Sequence, residues 1–197
     1  MGDPKFPKRS YDSPSHPWEG ERISNEAELV KRYGLKNKKE LWKAQSVLRG
    51  LRRQSRNLQA RLRYGDQQAQ LETDKLLQRC GRLGYLPMQG GSLDDVLALD
   101  MESVLGRRLQ TIVKQKRLAS TFREARQMIT HGHVFVEGRK VTIPGYVITR
   151  SEEGKIEYNP RSPFSDDLHP TRVQMAEKSG PLEGREKASE EVKEEVE

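Results

Sequence analysis

The sequence predicts an α+β protein. A helical N-terminal region precedes a central helix-turn-helix-like module with a small β-sheet, between a flexible N-terminal arm and an acidic C-terminal tail. Three observations predict this. Apolar residues recur at helical steps of three and four between Lys38 and Arg63, and again between Asp100 and Gly132. From His133 onward that period gives way to β-branched residues and the turn dipeptides Glu137-Gly138 and Pro144-Gly145. Hydrophobic residues are 33% of the 197, against roughly 45–50% in ordinary globular domains, so any core is small and local.

Taken in order, residues 1–22 carry Pro4, Pro7, Pro14 and Pro17 with Lys5, Lys8 and Arg9 between them, the composition of an extended basic arm. Asn25 with Glu28 reads as a capping box opening a short helix that Gly34 closes. Asn37 with Glu40 repeats the signal and opens a helix from about Lys38 to about Arg63, ending at Tyr64-Gly65. Leu41, Ala44, Leu48, Leu51, Leu58 and Leu62, with Ser55 in the gap, fall within an arc of roughly 80°. Lys38, Lys39, Arg49, Arg53, Arg56 and Arg63 project to the other side and form a cationic rail about 40 Å long. Gly50 costs this helix about 1 kcal/mol of propensity, which predicts a bend or a close backbone approach. Trp42 lies toward the basic side, placed either to stack on a base or to pack against the arm.

Asp66 opens the next helix, with Ala69, Leu76, Leu77 and Cys80 as its apolar side, before Gly81, Gly84, Pro87, Gly90 and Gly91 break the chain. Ser92 with Asp95 caps LDDVLAL. Asp100 opens a helix through MESVLGRRLQTIVKQK that buries Val104, Leu105, Leu109, Ile112 and Val113. A tight turn at Leu118-Ala119 leads to a helix capped by Thr121 and Glu124 and ended by Gly132, with Phe122, Ala125, Met128 and Ile129 inward. The expected divisions are an arm at 1–22, a basic helical region at 23–92, the module at 93–150, an extended segment at 151–181 and a disordered acidic tail at 182–197.

Charge is unevenly shared. The net +7 divides into +13 over residues 1–150 and −6 over residues 151–197. From Lys31 to Arg63 there are 12 basic residues and one acid, Glu40. A soluble surface ordinarily mixes both signs, so this block points to a polyanionic partner. With no run of 18 apolar residues, no apolar signal region at the N-terminus and Phe6 where myristoylation requires Ser or Thr, the expectation is a soluble intracellular protein. Lone Cys80 excludes a disulfide framework and a multi-cysteine zinc site, and reads as a small buried hydrophobe.

The stretch RLQTIVKQKRLASTFREARQMITHGHVFVEGRKVTIPGYVI resembles the RNA-binding module named after ribosomal protein S-four of the small subunit. The resemblance rests on the RLQT opening, Leu118-Ala119, Ala125-Arg126-Gln127, the run from His131 to Val134, and Gly138 with Pro144-Gly145. GDPK at the start, HPWE at 16–19, YGLKNKKELW at 33–42 and LDDVLAL at 93–99 are similar to the archaeal and eukaryotic branch of that family. One departure is Arg117, where glycine is common in the family; arginine costs more in a left-handed turn. The resemblance implies a structural constituent of the small ribosomal subunit. Such a protein binds small-subunit rRNA in its 5′ domain early in assembly and lies beside neighbouring small-subunit proteins where mRNA enters. It implies a cytoplasmic, ribosome-bound location.

The residues independently suit phosphate and RNA shape. Two helices meeting at a turn present an N-terminus at Thr121, whose unpaired N–H groups favour an anion. Arg107, Arg108, Lys114, Lys116, Arg117, Arg123, Arg126 and Gln127 lie on or beside those helices, with Arg139-Lys140 at the strand turn. Arg52 and Arg61 join the rail. Guanidinium groups fork onto phosphate oxygens, and the scarcity of interleaved aromatics makes base stacking a minor mode. His131 and His133 share a face but have no third ligand nearby, so they read as capping or RNA-contacting groups rather than a metal site. No catalytic residue, metal, cofactor or small-molecule substrate is expected. An RNA-modifying enzyme would need a further domain with a pocket, and only 47 polar, acidic residues follow Arg150. A membrane-surface protein would need an apolar face to spare, but the leucine arc is needed for the core. Because the tail repels phosphate, deleting residues beyond about Pro181 is expected to leave rRNA affinity in a filter-binding assay unchanged or slightly higher; a large loss would contradict this.

Overall fold

The computed structural model describes residues 9–166 and 168–173, so the start of the arm and the acidic tail lie outside the described residues. The longest helix, α2, spans Lys38–Arg63, with the Asn37 side chain accepting from the Glu40 N–H at 3.2 Å. Its arc is buried as the spacing requires, at Leu41, Ala44, Leu48, Leu51, Ser55 and Leu58, with Leu62 half-buried. The Ser55 hydroxyl donates to the Leu93 carbonyl at 2.9 Å, which satisfies the polar group in that stripe.

Helix α1 runs Gly20–Arg32 and so starts five residues before the expected Asn25 cap, with no side chain capping it. Arg22 explains the earlier start. Its guanidinium reaches back to the His16 and Pro17 carbonyls at 2.9 and 3.1 Å and fixes the chain where it enters the helix. Gly34, at φ +57°, closes α1, and a Cβ there would stand 2.6 Å from the Phe122 Cβ. Only glycine allows that approach between the two halves of the molecule. In the described part of the arm, Tyr11 packs on Trp42 with ring centroids 6.0 Å apart, and the Asp12 N–H donates to the Ser46 hydroxyl at 3.2 Å.

Helix α3, Gln67–Leu83, starts at Asp66, whose carboxylate accepts from the Gln68 N–H at 2.9 Å, and it continues through Gly81 to end at Gly84. Helix α4, Leu93–Ala98, carries the complete Ser92–Asp95 capping box. The single helix expected from Asp100 is two: α5 at Met101–Gly106 and α6 at Leu109–Gln115. Backbone pairing breaks it. Arg108 pairs antiparallel with Val147; the Leu109 N–H donates to the Tyr146 carbonyl at 2.7 Å and the Ile148 N–H to the Arg107 carbonyl at 3.0 Å. These bonds take the groups that would continue the helix.

Arg117, at φ 60°, makes the left-handed turn into α7, Phe122–His131, which has the expected Thr121–Glu124 capping box and ends at Gly132. Strands β1, Val134–Val136, and β2, Arg139–Lys140, form a hairpin over Glu137-Gly138, both at positive φ as a two-residue turn of this twist requires. No strand follows Pro144-Gly145 directly. After the four-residue helix α8, Arg150–Glu153, the third strand β3 comes from Ile156–Tyr158 and pairs antiparallel with β1, giving the order β2-β1-β3.

Two apolar cores result. Leu35 through Leu105 cluster among α1 to α5, and Leu109 through Ile156 cluster between α6, α7 and the sheet. Gln110 joins them: its buried amide donates to the Gly34 and Phe122 carbonyls at 3.0 and 2.7 Å. Two backbone positions yield stability changes. A Cβ at Gly50 meets nothing within 4 Å, so neither a close approach by the protein nor a packing conflict accounts for that glycine. Gly50→Ala is therefore expected to stabilise the fold by about 0.5–1 kcal/mol in urea unfolding. Arg117→Gly relieves the left-handed conformation and, net of glycine's unfolded-state freedom, is expected to add about 0.5–1 kcal/mol; destabilisation by either change would contradict the geometry.

Candidate nucleic-acid interface

Two carboxylates, Glu26 on α1 and Glu40 on α2, gather cations from several elements around them. Glu40, at the start of α2, accepts from Arg108 at 2.6 Å and from Arg126 at 2.8 and 2.6 Å. Burial pushes this carboxyl up, but the Arg126 and Arg108 hydrogen bonds outweigh it and hold the group below the usual carboxylate range. Glu26, which is buried, is held in a similar way: Arg22 at 2.8 Å, the Trp42 indole N–H at 3.1 Å and Lys38 at 3.2 Å converge on it. Its burial also acts upward, and the Trp42, Arg22 and Lys38 hydrogen bonds bring it below the ordinary value. Trp42 therefore packs against the arm and anchors a carboxylate.

The candidate cations separate by partner. Arg108 is buried on Glu40; Arg107 bonds Glu153 at 2.8 Å and the Ile148 carbonyl at 3.1 Å. Arg52 donates to the Leu99 carbonyl, tying α2 to the chain after α4. Arg61 is held by Asp66 and Glu72, each at 2.7 Å, and Arg49 pairs with Asp12 at 3.2 Å. By contrast Lys39, Arg53, Arg56 and Arg63 are exposed on α2 with no hydrogen-bond or ion-pair partner among the described residues. On the module, Arg117, Arg123, Arg139 and Lys140 are exposed in the same way and Lys116 is half-buried, while Lys114 lies 5.4 Å from the centre of the Phe122 ring.

Polar candidates in the module have local duties. The Thr121 hydroxyl accepts from the Glu124 N–H at 3.2 Å, and the Glu124 carboxylate accepts from the Ser120 N–H at 2.8 Å. A carboxylate of the chain itself thus occupies the N-terminus of α7, where a phosphate would otherwise be favoured. The His133 Nδ1 lies 2.8 Å from the Ser162 hydroxyl, and the exposed His131 ring stacks beside it at 6.2 Å. Gln127 is exposed on α7. Between α2 and α3 runs a polar groove of about 560 Å³, lined among others by Gly50, Arg53, Gln54, Asn57 and Arg79.

A family profile described as "S4 domain" matches residues 107–153. The small ribosomal subunit protein uS4 of Thermoplasma acidophilum is 47% identical over 195 residues, covering 97% of this chain and 98% of the relative. That of Picrophilus torridus is 49% identical over 176 residues, 89% and 96% of the two chains, and that of Methanococcus aeolicus 46% over 173, 88% and 96%. The chain belongs to the uS4 family. The family profile begins at Arg107, where the helix breaks just before Leu109 opens the second core, and stops at residue 153, short of β3, so this uS4 chain completes the module's sheet beyond the profile.

Sequence reasoning named Glu40 only as a helix cap in this uS4 chain. The signal available was its isolation as the one acid in a block of 12 cations, which demands a cationic shell if its side chain turns inward. Gln54 and Asn57 give no signal because an uncharged amide on a polar helix face carries no pattern, and Arg79 stands outside the basic block, on α3. Removing the Glu40 carboxylate leaves two guanidinium groups facing each other. Glu40→Ala is therefore expected to cost about 3 kcal/mol, the lower end for a broken buried pair because its side chain is 21% exposed. The pH sign follows from the lowered carboxyl: its contribution is present above the ordinary carboxyl value of 4.5 and is lost as pH falls through the folded value. Glu40→Gln should accordingly show a flatter loss of stability on acidification in pH-dependent urea unfolding; an unchanged acid limb would contradict the clasp.

Proposed function

We propose that this chain is a structural, non-catalytic constituent of the small ribosomal subunit, ribosome-bound in the cytoplasm. It binds small-subunit rRNA at a 5′ domain junction, acts in subunit assembly and lies beside neighbouring proteins where mRNA enters. The observation that carries the reading is the rail: Lys39, Arg53, Arg56 and Arg63 stand exposed and unpaired among the described residues along α2, opposite a buried leucine arc. Holding like charges in a row raises the energy of the free protein and is offset when a polyanion releases its counterions to them. Homologues named as small-subunit ribosomal proteins over nearly the whole chain support the same partner.

Within the candidate set the exposed cations are the proposed phosphate contacts: the rail, with Lys114, Lys116, Arg117, Arg123, Arg139 and Lys140 of the module. Gln127, His131 and His133 flank them as candidate polar contacts. Arg107, Arg108 and Arg126 act indirectly, by setting the module against α2. Lys38, Arg49, Arg52 and Arg61 keep part of their charge for RNA while bonded to the chain, and Thr121 shapes the turn. Recognition of this kind reads backbone shape and 2′-hydroxyls rather than base edges.

The test is direct. Replacing Arg53, Arg56 and Arg63 by Gln removes no described intramolecular bond, so helical content by circular dichroism should not change. The slope of log affinity for small-subunit rRNA against log salt should fall by about 2–3. An unchanged slope with unchanged affinity would remove the rail from the account.

A further inference from the structure

The groove between α2 and α3 holds features that folding does not explain. Gly50 sits in the interior of a 26-residue helix, exposed, with open space where its Cβ would be. Alanine would serve the helix better, and no neighbouring protein atom forbids it. Glycine is also the residue that lets another backbone come close.

Along the same flank of α2, Gln54 and Asn57 line the groove one turn apart, with no hydrogen-bond partner among the described residues. Each amide donates and accepts, which matches a hydroxyl that also does both. The charges around them are arranged for a polyanion. Glu72 is on the groove wall, but its carboxylate is bound by Arg61 at 2.7 Å. Arg53 and Arg79 line the groove, exposed, with no hydrogen-bond or ion-pair partner among the described residues. The volume of about 560 Å³ falls within the span of about 300–1,000 Å³ typical of specific ligand sites, so it admits a nucleotide-sized unit rather than a lone ion.

We propose that this groove seats a single ribose-phosphate strand of RNA, its backbone passing over Gly50, with Gln54 and Asn57 bonding its 2′-hydroxyls and Arg53 and Arg79 its phosphates. The inference rests on the reading that the chain binds rRNA and adds where, and by which neutral groups, it tells RNA from DNA. The 2′-hydroxyl is the chemical difference available at such a site.

The experiment uses the full chain, a transcript of small-subunit rRNA and DNA of the same sequence. Gly50→Gln should raise the melting temperature while weakening affinity for the transcript about tenfold, two changes of opposite sign that a purely structural glycine does not give. Gln54→Ala with Asn57→Ala should lower the RNA-to-DNA affinity ratio about three- to tenfold and leave the salt slope unaltered, because no charge is removed. Unaltered affinity in Gly50→Gln, or an unaltered ratio in the double variant, overturns the groove. If the Arg56 and Arg63 replacements still weaken binding in that case, the rRNA reading stands without it; if they too have no effect, both fall.

Discussion

The structure depends on one half-buried carboxylate. Glu40 belongs to the first turn of α2, yet its two oxygens are spent on Arg108, between α5 and α6, and Arg126, on α7. Those arginines lie 68 and 86 residues further along the chain, so the bond closes a long loop between the start of α2 and the module. Apolar packing alone does not do this, because the two cores are separate and each is small. Gln110 on the Gly34 and Phe122 carbonyls and the close approach at Gly34 support the same joint. Orientation between the cationic helix and the module is thus set by directional polar bonds, which hold an angle more narrowly than apolar contact does.

That joint also sorts the charge. A chain with 36 basic residues faces its own repulsion, and several of its acids are placed where they anchor a framework. Glu26 gathers Arg22, Lys38 and Trp42, and Asp66 with Glu72 gathers Arg61. The cations beyond their reach on α2 remain exposed. Internally paired and exposed cations are therefore the same residue types, separated by what the fold brings within their reach.

Much of this was legible locally. The bounds of α2, the capping boxes at Ser92 and Thr121 and the left-handed stop at Gly132 depend on residues within one turn of each other, and the sequence states them. The break at Arg107-Arg108 was not legible, because backbone groups of residues 144–148 cause it from outside the helix. The early start of α1 was hidden for a similar reason, since Arg22 reaches back to carbonyls rather than forming a side-chain cap. Among the candidate cations, sequence supplied the residue types but not which of them the fold pairs internally. Arg53 and Arg56 differ from Arg108 and Arg126 only in what the fold brings to them.

Arginine-specific chemical modification, read residue by residue in the free protein and in its complex with small-subunit rRNA, tests that division most directly. The account predicts that Arg53, Arg56, Arg63 and Arg123 react in the free protein and become protected in the complex, while Arg108 and Arg126 react in neither. Ready modification of Arg108 or Arg126 in the free protein, or continued reactivity of the α2 arginines when RNA is bound, would contradict it.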